Sequence, residues 1–386
     1  MIAMDPAVEA LPERGPEQRA TASGSGLRLE GVVKRFGEFV AVRGIDLDVE
    51  QGTFLTILGP SGSGKTTLLR MIAGFMPVSE GAIWLGGRDV SRVAPGERDI
   101  GMVFQNYALF PHMTVLENVA YGLKVRKRAK AERERRAHEV LALVGLEGFD
   151  ERLPRQLSGG QQQRVAFARA LAFEPQMLLM DEPLGALDRE LRVRMAAELR
   201  RLHDELGNTV LYVTHDREEA LTLSDKIAVM RNGVVEAIGI PQDLFARPDT
   251  GFVAAFFGGH NVVPCEQLPG AQAPGTQRVR CLHQTLDVAR SPRLAADAAD
   301  ACLAIPGDAL ALVEPHEGEA SGAPAVVNSA VYMGNAIQVN CDVEPDRPGP
   351  PIRLRVDLPG GRSVPPPVGT RVRVVIRPET VTAVGA

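Results

Sequence analysis

The sequence contains no apolar run approaching the roughly 18–20 consecutive residues that a membrane-spanning helix needs. Phe252 to Phe257 is apolar but far too short. A secretory signal is also missing, because Met1 to Gly26 is polar, with Pro, Glu, Gln and Ser scattered through it. Residues 1–26 read as a disordered leader, or as residues upstream of the true start, and the protein is expected in the cytosol. There is no C-x-x-C spacing among Cys265, Cys281, Cys302 and Cys341, which all fall in the last third. That argues against zinc and for reduced, partly buried thiols. A basic surplus is lacking too. The formal net charge of −5 argues against a general nucleic-acid binder.

What is present is a soluble, globular composition, 45% hydrophobic and 24% charged, over 386 residues, enough for two domains. The character changes near residue 260. From Leu27 to Gly259, short apolar runs alternate with amphipathic helices, the pattern of an α/β domain. Strands are expected at Phe54 to Leu58, Met177 to Met180, Val210 to Val213 and Ile227 to Met230. Each ends at a polar turn, where ligands gather in such sheets. After Asp188, residues Leu191, Met195, Leu199, Leu202 and Leu206 recur at helical spacing until Gly207 and Asn208. Beyond residue 260, alternating runs such as Ile352 to Val356 and Val372 to Ile376 predict a small all-β barrel or sandwich. Ala311-Leu-Val-Glu-Pro and Val375-Ile-Arg-Pro-Glu look alike, as if closing two related β units.

Three local patterns carry chemistry. Gly59-Pro-Ser-Gly-Ser-Gly-Lys-Thr66 matches G-x-x-x-x-G-K-[ST] between a strand and an apolar helix. Its glycines let backbone N–H groups turn around phosphate oxygens, and the helix N-terminus presents positive charge to the same anion. Lys65 is placed to reach the terminal phosphates and Thr66 to ligate Mg²⁺. Met177-Leu-Leu-Met-Asp-Glu-Pro183 is a buried strand ending in two acids. Asp181 suits the Mg²⁺ shell and Glu182 suits polarising a water; alone, the same pattern is equally a strand followed by a solvated acidic turn. Leu157-Ser-Gly-Gly-Gln161 precedes a helix expected at Arg164 to Ala172. Ser158 and Gln161 make a capping box, and the two glycines allow a second anion to approach. One nucleotide does not need two such loops, so the economical arrangement is a dimer in which each LSGGQ closes on the other copy's ATP.

In this order, with Gln105 and His215 between and after, these motifs resemble the ATPase subunits of ATP-binding cassette (ABC) transporters, over residues 27–259 strongly and 260–386 more loosely. The resemblance implies a phosphate-loop α/β ATPase domain at 27–259, with a helical subdomain at about 106–172. A C-terminal all-β regulatory domain of OB type, the transport-associated kind, is implied at 260–386. It implies ATP contacts at Phe36, Gly59, Pro60, Ser61, Gly62, Ser63, Gly64, Lys65, Thr66 and Thr67. On the second copy it implies contacts at Ser158, Gly159, Gly160, Gln161 and Asp188. The metal contacts would be Thr66, Gln105 and Asp181, and the catalytic groups Glu182, His215 and Gln105. Tyr107 to Leu116, apolar for a stretch after a loop, matches the surface that receives the permease.

A β-rich appendage is typical of importers fed by a binding protein. The implied assembly is a homodimer with two transmembrane permease subunits and an extracytoplasmic solute-binding protein, on the cytoplasmic face of the inner membrane, without nucleic acid. The stretches Arg98 to Val119 and Leu157 to Arg164 look most like polyamine (spermidine/putrescine) importers. Ferric-iron, phosphonate and sugar importers share nearly all of them. A soluble, non-transport ABC ATPase is the alternative of a different class; those acting on ribosomes normally carry two cassettes per chain, and one is present here.

Overall fold

A computed structural model describes residues 25–185, 187–271, 273–295, 298, 300–314, 322–346, 349–360 and 364–385. Residues 1–24, on which most of the expected leader falls, lie outside the described residues. The strand Ser25–Phe36 already includes the last two leader positions.

Six strands build the central sheet, in the order Val234–Gly239, Lys226–Arg231, Phe54–Leu58, Thr209–Thr214, Met177–Asp181 and Ile100–Val103. All neighbours are parallel except the edge strand Val234–Gly239. Phe54–Leu58 and Thr209–Thr214 are buried at every position. A sheet covered on both faces demands such unbroken apolar runs. The alternation of side chains along a strand divides them between two cores. Phe54, Leu178, Met180 and Tyr212 face the helical core, whereas Leu55, Ile57, Leu179 and Leu211 face a second core. The second core is closed by the helix Lys65–Ile72 and by an antiparallel sheet built on Ser25–Phe36, Phe39–Glu50 and Glu80–Leu85. The sequence reading did not find that antiparallel sheet.

The helices Val115–Val125, Lys130–Leu143 and Gly159–Leu171 supply the first core. The last begins five residues before the expected Arg164, because the Ser158–Gln161 box caps it there. Of the stripe predicted after Asp188, Met195, Leu199 and Leu202 are buried in the helix Arg189–Leu206. Leu206, in its last turn, is exposed instead. Gly207, at φ 65°, ends the helix in the left-handed region.

From His260 onward the described chain folds as strands joined by turns. A six-stranded and a five-stranded sheet enclose one core that runs from Val263 to Ala383. The two similar segments do not close separate units. Leu310–Val313 pairs antiparallel with Arg371–Ile376, with Leu310 opposite Ile376. Their neighbours Ala301–Pro306 and Thr382–Gly385 also pair, in the other sheet. Each segment thus crosses between the sheets through a short 3-10 turn, in opposite directions. All four cysteines are unpaired, three buried and Cys265 half-buried. Burial pushes the Cys265 thiol up to about 12 and Cys341 up to about 11.

Candidate functional site

The phosphate-loop candidate leaves the C-terminal end of the buried strand Phe54–Leu58 and enters the helix Lys65–Ile72. Gly64 takes φ 101°, and a Cβ there would meet the Ala41 carbonyl oxygen at 2.7 Å. A Cβ on Gly59 would collide with the Met230 carbonyl. Both positions therefore exclude other side chains by packing, and Gly64 does so by its backbone angle as well. Gly59, Ser63 and Lys65 are buried; Pro60, Ser61 and Gly62 are exposed; Thr66 and Thr67 are half-buried. Lys65 Nζ donates to the Gly59 and Pro60 carbonyls at 2.8 and 3.0 Å, curling over its own loop. Burial lowers its pKa, and the charges of Glu182 and Asp181 work against that shift.

Asp181 ends the strand Met177–Asp181 beside this loop, and Thr66 Oγ1 donates to its Oδ1 at 3.4 Å. Burial, reinforced by the Glu182 charge, holds the Asp181 carboxyl above the usual carboxylate range. Thr66, Arg70 and Lys65 oppose that rise. Glu182 follows at φ 45°, a left-handed angle that a non-glycine residue rarely adopts. It is pinned there by its own N–H to the Val213 carbonyl, 2.9 Å, and by the Gly185 N–H to its carbonyl, 3.1 Å. The carboxylate then meets His215, with Oε1 3.2 Å from Nδ1. The structure thus brings Lys65, Thr66, Asp181, Glu182 and His215 together. Gln105, exposed in the loop after Ile100–Val103, approaches them at Gly185, where a Cβ would lie 3.7 Å from its Nε2.

Ser158 and Gln161 form the capping box. Ser158 N–H donates to Gln161 Oε1 at 2.9 Å, and Ser158 Oγ accepts from Gln161 N–H at 3.4 Å. Ser158 and Gly159 are exposed at the start of a thirteen-residue helix, Gly159–Leu171, while Gly160 is buried. That helix rests on Val115–Val125, Lys130–Leu143 and the edge strand Ile100–Val103, and the phosphate-loop helix rests on Met177–Asp181, Thr209–Thr214 and Phe39–Glu50. The two glycine loops are therefore carried by different parts of the chain. Asp188, also exposed, accepts from Leu191 N–H at 2.9 Å and caps the helix Arg189–Leu206. Phe36 is 48% exposed, with Lys34 Nζ 5.3 Å from its ring centroid. A ring so open has a free face for stacking.

Within the expected docking segment, Tyr107 and Val115 belong to the core. Ala108 and Phe110 instead line a groove of about 380 Å³ with Met102, Phe104, Tyr121 and Phe173. Arg169 holds the groove's edge by donating to the Tyr107 and Ala108 carbonyls at 2.8 and 2.6 Å.

Sequence reasoning missed two supporting groups. Arg98, 4% exposed, donates from Nη1 to the Met71 and Ile72 carbonyls, both at 2.8 Å, closing the C-terminal end of the phosphate-loop helix. Glu219, 5% exposed, accepts from Tyr212 OH and Thr214 Oγ1, each at 2.7 Å, beneath the His215 loop. No motif marks either residue, because their partners are distant in sequence or come from a neighbouring strand.

The residues present fit a nucleotide with Mg²⁺. Ser63 Oγ is buried without a hydrogen-bond partner at the loop, an orphan that a phosphate oxygen would satisfy. Thr66 and Asp181 offer the hard oxygen pair that Mg²⁺ takes when phosphates and water complete its shell. No group of three or more His, Cys, Asp or Glu able to hold a metal unaided occurs among the described residues.

The family described as "ABC transporter" matches residues 42–185. An Fe(3+) ions import ATP-binding protein from Brucella abortus (strain 2308) is 48% identical over 315 residues, 82% of this chain and 87% of the relative. A sulfate/thiosulfate import ATP-binding protein from Nocardia farcinica is 53% identical over 237 residues, 60% of this chain and 72% of the relative. Among solved structures, cbiO1 from Clostridium perfringens, part of the ABC transporter complex cbiONQ, is similar at a TM-score of 0.54. It shares 30% identity and covers 58% of this chain and 92% of its own. A dimeric ATP-binding cassette in a post-hydrolysis state, bound to ADP and Pi, is similar at a TM-score of 0.50. It shares 36% identity and covers 56% of this chain and 98% of its own. An alignment of 315 residues at nearly half identity reaches well into the β region, so the chain belongs to the ABC transporter family, among the ATP-binding subunits of importers.

Proposed function

We propose that this chain hydrolyses ATP as one of two identical copies in a binding-protein-dependent importer, and that the imported solute is ferric iron. The observation that carries the ATPase reading is the Glu182–His215 contact at 3.2 Å, beside a phosphate loop whose Lys65 is already buried.

The roles follow from that geometry. Backbone N–H groups from Gly62 to Thr66 cradle the phosphates, and Lys65 exchanges its two loop carbonyls for phosphate oxygens. Thr66, Asp181 and Gln105 would hold Mg²⁺, which would supply charge neutralisation for phosphoryl transfer. Phe36 stacks on the adenine. Glu182 orients or deprotonates the attacking water, and His215 steadies its carboxylate and reaches the γ-phosphate. Ser158, Gly159, Gly160 and Gln161 of the second copy close the site from the other side, next to that copy's Asp188. The exposure of Ser158 and Gly159 here, on a different element from the phosphate loop, supports a site shared between two chains. Loss of the γ-phosphate then reopens the dimer.

Import needs a membrane partner, since no helix among the described residues is long and apolar enough to cross a membrane. The groove at Phe104, Ala108 and Phe110 is the surface offered to two permease subunits, which sets the chain on the cytoplasmic face of the inner membrane. For the solute, the ferric-iron reading rests on relatives matched over 82% of the chain, against 60% for the sulfate/thiosulfate relative. The polyamine expectation has no support among these relatives, whose names are those of iron and sulfate importers. The motifs behind that expectation are ATPase motifs, and they touch no solute. Disrupting the gene should abolish energy-dependent uptake of radiolabelled ferric iron and spare spermidine and sulfate uptake. Unchanged iron uptake with lost spermidine uptake would overturn the assignment.

A further inference from the structure

The residue that binds the region around His215 together is neither a motif residue nor a neighbour in sequence. Arg192 lies one turn into the helix that Asp188 caps. Its Nη2 donates to the Leu187 carbonyl at 3.0 Å, immediately before Asp188. Its Nη1 donates to Asp216 Oδ2 at 2.9 Å, immediately after His215. Its Nε lies 3.7 Å from Glu219 Oε1. The other oxygen of Glu219 holds Tyr212 and Thr214, the latter immediately before His215. Thr214 Oγ1 in turn accepts from Asp216 N–H at 3.0 Å. One guanidinium and one buried carboxylate thus grip both flanks of the histidine and the flank of the Leu187–Asp188 loop.

We infer that Arg192 and Glu219 are positioning residues that make the placement of His215 depend on the placement of the Leu187–Asp188 loop. This rests on the proposed roles of His215 and Asp188. When the second copy presses on Asp188, displacement of the Leu187 carbonyl is carried by the Arg192 fork to Asp216 and Glu219. His215 then moves with its two neighbours, against Glu182. A planar fork with three partners transmits direction in a way that a flexible lysine cannot. Hydrolysis becomes contingent on dimer closure, while nucleotide binding at the Lys65 loop on the far side of Glu182 is left alone.

The test uses the full-length chain assembled with its permease. Arg192→Gln and Glu219→Gln should each lower kcat for ATP by roughly tenfold, with KM within about twofold of the parent. Because the two act as one unit, the double variant should be no slower than the slower single, within about twofold. Glu182→Gln/Arg192→Gln should still dimerise with ATP. Additive losses in the double, an unchanged kcat, or a loss expressed mainly in KM would overturn the inference. If Glu219→Gln does not fold, Arg192→Lys decides alone: it keeps the charge and loses the fork, so a parent-like kcat refutes the link. Should Glu182→Gln itself retain turnover, the proposed function fails. Should only the Arg192 variants behave as parent, the link alone fails.

Discussion

Glu182 sits at a backbone angle that costs of order 1–3 kcal/mol for a residue with a side chain, and two backbone hydrogen bonds hold it there. The gain is direction: the sharp turn aims its carboxylate at His215 instead of along the strand that Asp181 ends. Glu182→Gln keeps shape and turn and removes the proposed base. Turnover should fall by at least about 100-fold, while ATP binding and ATP-dependent dimerisation survive. Steady-state hydrolysis together with size-exclusion chromatography in ATP checks both, and a variant that stays monomeric in saturating ATP contradicts the shared site. Asp181 tells the complementary story. Its pKa is raised above the ordinary value of 3.8 by burial and by Glu182, so the folded state binds its proton more tightly than the unfolded one does. Nucleotide-free stability is therefore lost through this group as pH rises from the ordinary value through the raised one. Asp181→Asn should melt higher than the parent at neutral pH and lose that advantage below about pH 4, while abolishing Mg²⁺-dependent turnover. Melting curves across pH without nucleotide measure this; a variant less stable at neutral pH would contradict it.

At the scale of single elements, the phosphate-loop helix is only eight residues long, too short to be stable by itself. Its N-terminal end is left free for an anion, with no side-chain cap at Gly64. The other end is therefore closed with unusual firmness by Arg98, which also donates from Nε to the Val93 carbonyl at 2.8 Å. Arg98→Met fills similar space and takes the side-chain donor away from the Val93, Met71 and Ile72 carbonyls, of which Met71 keeps the Gly74 N–H at 3.1 Å. It should cost about 2–4 kcal/mol and lower the melting temperature by several degrees. Thermal unfolding by circular dichroism reads the effect, and a melting temperature within a degree of the parent would contradict the closing role. Ser158 works differently. Its box starts the LSGGQ helix, and the residue is exposed. In the proposed function, the same local hydrogen bonds that make the cap also hold the helix N-terminus in place for a partner's phosphate. A cap and a ligand site draw on the same residues, which is why pattern alone left the two readings open.

Over the whole molecule, the ATPase region and the β region are joined by polar clamps as well as apolar contact. Ser291 Oγ donates to the Asp249 carbonyl at 2.9 Å, Arg293 to the Glu236 carbonyl, and Arg355 Nη1 to the Gly258 carbonyl at 2.9 Å. Ala254, on the helix Gly251–Phe257, packs with Cys302, Ala304 and Val384 across the same seam. Gly258 ends that helix at φ 74°, so the Arg355 bond fastens the helix's C-cap carbonyl, one residue before Gly259 leads into the strand His260–Pro264. Arg355→Ala should cost about 1 kcal/mol at this junction and speed limited proteolysis near residues 258–261. Cleavage at the parent's rate would mean that the apolar seam alone holds the two regions.

Much of this protein is legible in its order of residues. The phosphate loop, the paired acids and the LSGGQ cap are each set by neighbours within a few positions, where turn chemistry and helix capping act. The buried strands are legible because a sheet covered on both faces requires unbroken apolar runs. Other features needed the folded chain. Arg98 meets its carbonyl partners 26 and 27 positions away, and Arg192 meets Asp216 24 positions away. An arginine's reach leaves no trace in local periodicity. The antiparallel sheet on Ser25–Phe36 and the crossing of Leu310–Val313 with Arg371–Ile376 likewise depend on which distant edges meet. The sequence by itself determined that the chain grips a phosphate. The tertiary structure decided that Glu182 faces His215, and that Arg192 bonds both Asp216, next to His215, and the Leu187 carbonyl, next to Asp188, because only packing brings together segments that lie far apart along the chain.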